Sequence, residues 1–210
     1  MFDGIIFDMD GTIWDSTDNV AFAFRKVVKE RYPFVTDEIT GDKLKGLFGL
    51  PLDEIAVRLF LSVKDREQAI KIMDDCCAYE CEYLAKHGAN LYEGVEETLR
   101  TLSEKYKLLI VSNCQEGNIQ CFFKVYPYLE KYFTDYEYPG RTGKFKADNI
   151  KLVIGRNHLK HPVYIGDTCG DAQAAKEAGV PFIFARYGFG EVTEFDFAAD
   201  SFIELADLLK

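Results

Sequence analysis

Two acids two residues apart, Asp8 and Asp10, follow an apolar run in the stretch Ile5-Ile6-Phe7-Asp8-Met9-Asp10-Gly11-Thr12. In an extended strand, residues two apart point to the same side, so both carboxylates leave the strand toward one spot. Gly11 and Thr12 then read as a turn. That puts the spot at the strand's C-terminal edge, where open α/β sheets bind their ligands. Carboxylates held this close repel each other unless a cation lies between them. Hard oxygen ligands with room for water and a phosphate suit Mg²⁺. A plainer reading is a strand running into an Asx-type turn, for which Asp-x-Asp-Gly is also good composition.

Three later segments carry groups of the same kind. Leu108-Leu109-Ile110-Val111-Ser112-Asn113 is an apolar strand ending in a hydroxyl and an amide. Side chains and backbone N–H groups at such an end can hydrogen-bond phosphate oxygens, although Ser-Asn is also a common loop opener. Gly143-Lys144-Phe145-Lys146-Ala147-Asp148 sets two lysines ahead of a helical pattern. Solvated lysines are the plain interpretation, yet cations at a helix start gain nothing from its dipole. Tyr164-Ile165-Gly166-Asp167-Thr168-Cys169-Gly170-Asp171 ends a buried strand in one acid and adds another four residues on. Asp171 falls where it could instead cap the following helix.

The elements that must position these groups are legible from hydrophobic pattern. Ile5–Phe7, Leu108–Val111, Val163–Ile165 and Phe182–Ala185 are short apolar runs separated by amphipathic stretches, the alternation of βαβ units and a parallel sheet. Tyr132–Tyr138 offers a further strand. Helices are expected at Val95–Tyr106, opened by Gly94, and at Asp171–Ala178, closed by Gly179 with Pro181 beyond it. Between the first two strands the pattern changes. Val20–Tyr32, Pro51–Leu61 and Arg66–Lys86 are helical in period, with no strand among them, so an inserted helical module is expected with joints near Asp15–Asp18 and His87–Tyr92. The expected fold class is α/β: a Rossmann-like parallel sheet core flanked by helices, from residues 1–14 and 89–210, with an α-helical insertion at 15–88.

In order and spacing the four stretches resemble the motifs of the haloacid dehalogenase (HAD) superfamily of hydrolases: DxDGT, a hydrophobic strand ending in Ser or Thr, a lysine, and GDTxxD followed by Ala-x-x-Ala-Gly-Val. The resemblance spans essentially the whole chain and implies that the helical insertion is a mobile cap. It implies Asp8 as nucleophile and Asp10 as general acid/base, with Thr12 orienting Asp10. It further implies Mg²⁺ held by Asp8, the Asp10 backbone carbonyl, Asp167 and Asp171, the last directly or through water. Ser112, the backbone N–H of Asn113 and Lys144 would bind the transferring phosphoryl oxygens. Lys144 aligns with the lysine that opens KPxP in many members, with Phe145 and Ala147 in place of both prolines, and Lys146 is the rival. Within Lys43–Leu52, Gly-Leu-Pro-Leu is similar to cap segments of phosphoglycolate phosphatase-like members, which makes Lys45 and Gly46 candidate substrate-reading residues.

The branch implied is that of phosphoglycolate phosphatase and β-phosphoglucomutase. The activity implied is Mg²⁺-dependent hydrolysis of a small phosphorylated metabolite through an aspartyl-phosphate. Mutases commonly carry Val or Ile where this chain has Thr12, and 2-haloacid dehalogenase lacks the acid that Asp10 supplies. A non-catalytic binding protein on this fold would be expected to have lost at least one of Asp8, Asp10, Lys144 and Asp167.

Composition bounds the rest. A net charge of −10 over 210 residues argues against a general nucleic-acid binder, which needs a basic footprint. The apolar stretches are too short for a membrane span. Met1-Phe2-Asp3-Gly4 runs into a strand without a basic leader, so a cytoplasmic protein is expected, its oligomeric state left open as monomer or dimer. Six cysteines without a CxxC pair are expected to be reduced. Cys77 and Cys81 could share a helix face, but without nearby histidines they make a weak zinc signal. No Ser-His or Cys-His arrangement is recognisable.

Overall fold

The apolar runs become strands of one parallel sheet. The computed structural model describes residues 2–210; Met1, the first residue of the expected core segment, lies outside them. Strand β1 (Gly4–Phe7) is followed by a short antiparallel pair, β2 (Trp14–Asp15) and β3 (Asn90–Leu91). Then come β4 (Lys107–Val111), β5 (Phe133–Glu137), β6 (Pro162–Gly166), β7 (Phe182–Ala185) and β8 (Phe197–Ala199). The main sheet runs β5-β4-β1-β6-β7-β8, and every neighbouring pair is parallel. Chain order reverses direction at β1, the kind of switch point that opens a crevice at the carboxyl ends.

Alternation sorts the strand residues onto two faces. Ile5, Phe7, Leu108, Ile110, Val163 and Ile165 pack on one face. Ile6, Leu109, Val111 and Tyr164 pack on the other. Burial on both faces is why these strands are continuous apolar runs rather than alternating ones.

The insertion is helical, as its period indicates: α1 (Thr17–Arg31), α2 (Gly41–Lys45), α3 (Leu52–Leu59) and α4 (Arg66–His87). The chain leaves and re-enters the sheet region through β2 and β3, whose ladder pairs Trp14 with Leu91 and Asp15 with Asn90. Apolar packing is continuous from the first sheet face through Ile13, Trp14 and Phe122 to Phe24, Ile55 and Met73 of the helices. Trp14 is fully buried, edge-on to Phe122 with ring centroids 5.1 Å apart.

Around the sheet lie α5 (Val95–Ser103), α6 (Asn118–Val125), α7 (Pro127–Glu130), α8 (Pro139–Thr142), α9 (Lys146–Arg156), α10 (Cys169–Ala178) and α11 (Glu204–Leu208). Two expected boundaries move. Helix α5 stops at Ser103 rather than Tyr106, because the chain turns there into β4. Helix α10 begins at Cys169 rather than Asp171, because Thr168 caps it: its hydroxyl accepts the Asp171 N–H while the Asp171 carboxylate accepts the Thr168 N–H. All six cysteines are free thiols. Among the described residues, no helix is long and apolar enough to cross a membrane.

Candidate active site

Three adjacent parallel strands end in polar residues at one edge. Asp8 follows β1, Ser112 follows β4 and Asp167 follows β6. The parallel registers of β1 with both neighbours end the three strands within one residue of the same level, so the three residues meet at one sheet edge. Asp8, Ser112, Asp167 and Asp171 are all buried. Gly11 makes this convergence possible: its φ of +82° suits glycine, and a Cβ there would lie 2.1 Å from the Asp167 carboxylate.

Among the described residues one cation serves this cluster, and it is Lys146. Its Nζ donates to Asp8 Oδ1 at 3.0 Å and to Asp171 Oδ1 at 2.6 Å, with the lysine only 4% exposed. The expectation for Lys144 is thereby corrected: Lys144 is exposed and precedes the helix. Lys146 is the first residue of α9 and shares its inward stripe with Ile150 and Val153. That stripe was visible as i, i+4, i+7 spacing; alignment to a proline-containing motif that this chain lacks concealed it.

The acids are tuned differently. Burial pushes Asp8 up to about 6; the Lys146 ammonium pulls the other way and the Asp171 carboxylate adds to the rise. Burial likewise pushes Asp10 up to about 7, against a hydrogen bond from the Ser16 hydroxyl. Asp167 is pushed well up by burial and by Asp171 and Asp8, although the Phe189 N–H donates to its Oδ2 at 2.7 Å. Asp171 goes down. Burial alone would raise it, but Lys146 and the Thr168 hydrogen bonds outweigh burial. Burial alone would lower Lys146, but Asp171 and Asp8 outweigh it, so the ammonium is held charged.

The donor set fits a hard divalent cation. One oxygen from each of Asp8, Asp167 and Asp171 lies within 4.8 Å of the others, a compact all-carboxylate group of the sort Mg²⁺ takes. Asp167 Oδ1 receives only a long 3.4 Å contact from the Thr12 hydroxyl, which leaves it acceptor capacity. Asp171 is more fully used: Lys146 and Tyr164 donate to Oδ1, and the Thr168 N–H and hydroxyl to Oδ2. Thr12 was expected to orient Asp10; its hydroxyl turns to Asp167 instead, and Ser16 takes the Asp10 carboxylate. Ser16 opens α1 just after the motif and carried no sequence signal of its own.

A small chamber of about 50 Å³ lies over Asp8 and Asp10, roofed by the helical insertion. The loop after α2 closes it against the sheet edge. Asn113 Nδ2 donates to the Gly49 carbonyl at 3.0 Å, and Phe48 meets Phe189 edge-on. Gly49 holds φ +91°, and a Cβ there would meet Thr168 at 2.8 Å, so this approach of the loop to the core requires glycine. Lys45 and Gly46 do not line the chamber. Lys45 lies in α2 and pairs with Asp15 Oδ2 at 3.0 Å, and Gly46 ends the helix. Two groups not singled out from the sequence do line it: Glu80 of α4 and Asn118 of α6. Glu80 is an acid on the stripe Ala69, Ile72, Met73, Cys76, Cys77, Leu84, an anomaly that helical spacing exposes. Burial pushes it up to about 8, with Asp10 adding to the rise.

The model of the family described as haloacid dehalogenase-like hydrolase matches residues 5–185. The chain is 28% identical to a phosphoglycolate phosphatase from Vibrio vulnificus, over 98% of this chain and 95% of that protein. It is also 28% identical to a phosphoglycolate phosphatase from Aquifex aeolicus, over 88% and 85% of the two chains. A haloacid dehalogenase-like family hydrolase from Streptococcus pneumoniae shares the fold with a TM-score of 0.83 at 23% identity, covering 100% of this chain and 99% of that one. CbbY from Rhodobacter sphaeroides, solved in complex with phosphate, has a TM-score of 0.78 at 18% identity over 98% and 96% of the chains. With its motifs in order and its acids gathered on one sheet edge, this chain belongs to the haloacid dehalogenase-like hydrolase family, as an enzyme of the phosphoglycolate phosphatase-like branch.

Proposed function

We propose that the chain is a Mg²⁺-dependent phosphatase that hydrolyses a small phosphorylated metabolite through a phosphorylated Asp8. The observation that carries this reading is the pairing of two acids with separate environments: Asp8 held by Lys146, and Asp10, raised to about 7, held by Ser16. Acids whose environments differ in this way divide into nucleophile and proton donor.

An Asp8 carboxylate oxygen attacks phosphorus as the bond to the leaving oxygen breaks, and Asp10 gives that oxygen its proton. Water then attacks the phosphorus of phospho-Asp8, returns a proton to Asp10, and releases phosphate with Asp8 regenerated. Lys146 stays charged beside the transferring group, and Ser112 with the Asn113 N–H would hold its oxygens. Asp8, the Asp10 carbonyl and Asp167 would hold Mg²⁺, with Asp171 acting through water because its own oxygens are taken. When bound, the ion neutralises charge on the phosphoryl oxygens.

Residues 15–88 act as the cap on residues 1–14 and 89–210, and its closure excludes bulk water. The phosphoglycolate phosphatases among the relatives support a small metabolite as substrate. The test is phosphate release from a panel of phosphorylated metabolites with Mg²⁺ and with EDTA. Inorganic phosphate should accumulate only with metal. Interconversion of hexose phosphates with little phosphate release would indicate a mutase and overturn the reading.

A further inference from the structure

The charges that line the chamber are unevenly placed. They are Asp8, Asp10, Glu80 and Lys146, and Lys146 already donates to Asp8 and Asp171. Among the described residues, then, the helical wall facing the reacting acids offers a carboxyl and no free cation. Glu80 is 4% exposed and its Oε1 accepts from Asn118 Nδ2 at 3.3 Å. Asn118, equally buried, keeps its Oδ1 without any hydrogen-bond partner. A buried acceptor left unpaired costs free energy and marks a place where a ligand's donor would be welcome. Phe24, Ile55 and Met73 make most of the rest of this wall apolar, and the Gln115 amide among them already donates to the Cys77 carbonyl at 3.1 Å.

A leaving group that carries a carboxylate would have to bury it against apolar side chains and beside a second carboxyl, with no cation to compensate it. That arrangement is strongly unfavourable. A hydroxyl or amino group would instead donate to Asn118 Oδ1 and Glu80. We propose that Glu80 and Asn118 form the specificity wall of this site, selecting a short phosphate ester whose organic part donates hydrogen bonds and bears no negative charge. The inference rests on the phosphatase reading above and narrows it. It sets this chain apart from its relatives named for phosphoglycolate, whose organic part is an acid.

Two esters of nearly equal size decide it: 2-hydroxyethyl phosphate and 2-phosphoglycolate. The wild-type specificity constant should favour the hydroxyethyl ester by about tenfold or more, the scale of a hydrogen bond gained against a charge left uncompensated. Glu80→Gln, which keeps shape and removes the ionisable proton, should bring the ratio down toward one. Asn118→Leu should lower the constant for the hydroxyethyl ester selectively. A wild-type preference for 2-phosphoglycolate overturns the inference without any variant, and a ratio unmoved by Glu80→Gln in a folded protein overturns the assignment to Glu80. p-Nitrophenyl phosphate separates the two levels: no phosphate release from it or from any ester removes the phosphatase reading, and this inference with it.

Discussion

The strand-end site and the helical wall that faces it bury their acids in different ways. Beside the strand ends, Asp8 and Asp171 share the Lys146 ammonium, which holds Asp171 down and limits the rise of Asp8. On the wall, Glu80 has the neutral amides of Asn118 and Gln115 near it and no cation, and burial pushes it up to about 8. A buried charge that is paired and hydrogen-bonded can stay ionised and ready to react, whereas an unpaired one surrenders its charge. The first arrangement suits chemistry on a phosphoryl group, and the second suits recognition of a neutral one.

The sharpest way to break that contrast is at its reactive end. Asp8→Asn should abolish phosphate release, a loss of at least about 10³-fold if the nucleophile is removed, with the thermal midpoint retained because the shape is unchanged. Near wild-type turnover, with mass spectrometry excluding reversion to Asp, would sink the assignment of Asp8.

Next comes the cation. Lys146→Ala strands Asp8 and Asp171 without their partner, so activity should fall by about 10²–10³-fold. Stability should fall by roughly 3–5 kcal/mol, as when one member of a buried pair is deleted. Lys144→Ala should change either quantity by no more than about 0.5 kcal/mol. Urea melts and initial rates on both variants settle which lysine serves the site, and equal losses would undo the distinction drawn from their burial.

Proton linkage gives a third, smaller effect. Asp8, Asp10 and Glu80 have folded values of about 6, 7 and 8, all above the ordinary carboxyl values of 3.8 and 4.5. The folded protein therefore binds these protons more tightly than the unfolded chain. Its stability is greatest below about pH 4 as far as these groups are concerned, and it declines as pH rises through about 8. Mg²⁺ requires ionised carboxylates, so its stabilisation of the fold should be larger at pH 8 than at pH 6. At 100 times its dissociation constant that stabilisation is about 2.7 kcal/mol. Melting curves at both pH values with EDTA or Mg²⁺ measure it. A midpoint indifferent to metal at pH 8 would remove Mg²⁺ from the carboxylate cluster. Glu80→Gln should make the metal-free decline between pH 5 and 8 shallower, with Asp8 and Asp10 still contributing.

The strand-end half of the site was legible because its groups follow apolar runs directly: Asp8, Ser112 and Asp167 are each the residue after a strand. Parallel pairing then fixes their neighbourhood without further information. The helical wall was not legible in the same way. Glu80, Asn118 and Ser16 reach the chamber only through tertiary packing of α4, α6 and α1, and no local pattern states which helices meet. Helix α2 and strand β8 carry no sequence signature because five and three residues are too few to display a period. Lys146 lay between these cases: its helix stripe was readable, and the motif alignment outweighed it.

Lys45 tests the boundary between the two regions, with the smallest effect expected. Its sequence context of glycines and a second lysine suggested a residue that reads the leaving group. In the closed arrangement its ammonium pairs with Asp15, rests 5.6 Å from the Phe189 ring centroid, and does not line the chamber. Its side chain is 38% exposed, so the pair is worth only about 0.2–1 kcal/mol. Asp15 belongs to β2, at the joint between sheet and insertion. Losing the pair should therefore loosen closure equally for every ester rather than favour one. Lys45→Ala should lower the specificity constants for 2-hydroxyethyl phosphate, 2-phosphoglycolate and p-nitrophenyl phosphate in parallel, each by less than about fivefold. A change in their ratios would instead place Lys45 against the substrate in the reacting complex, and would shift part of the recognition from the Glu80 wall to the loop that closes over it.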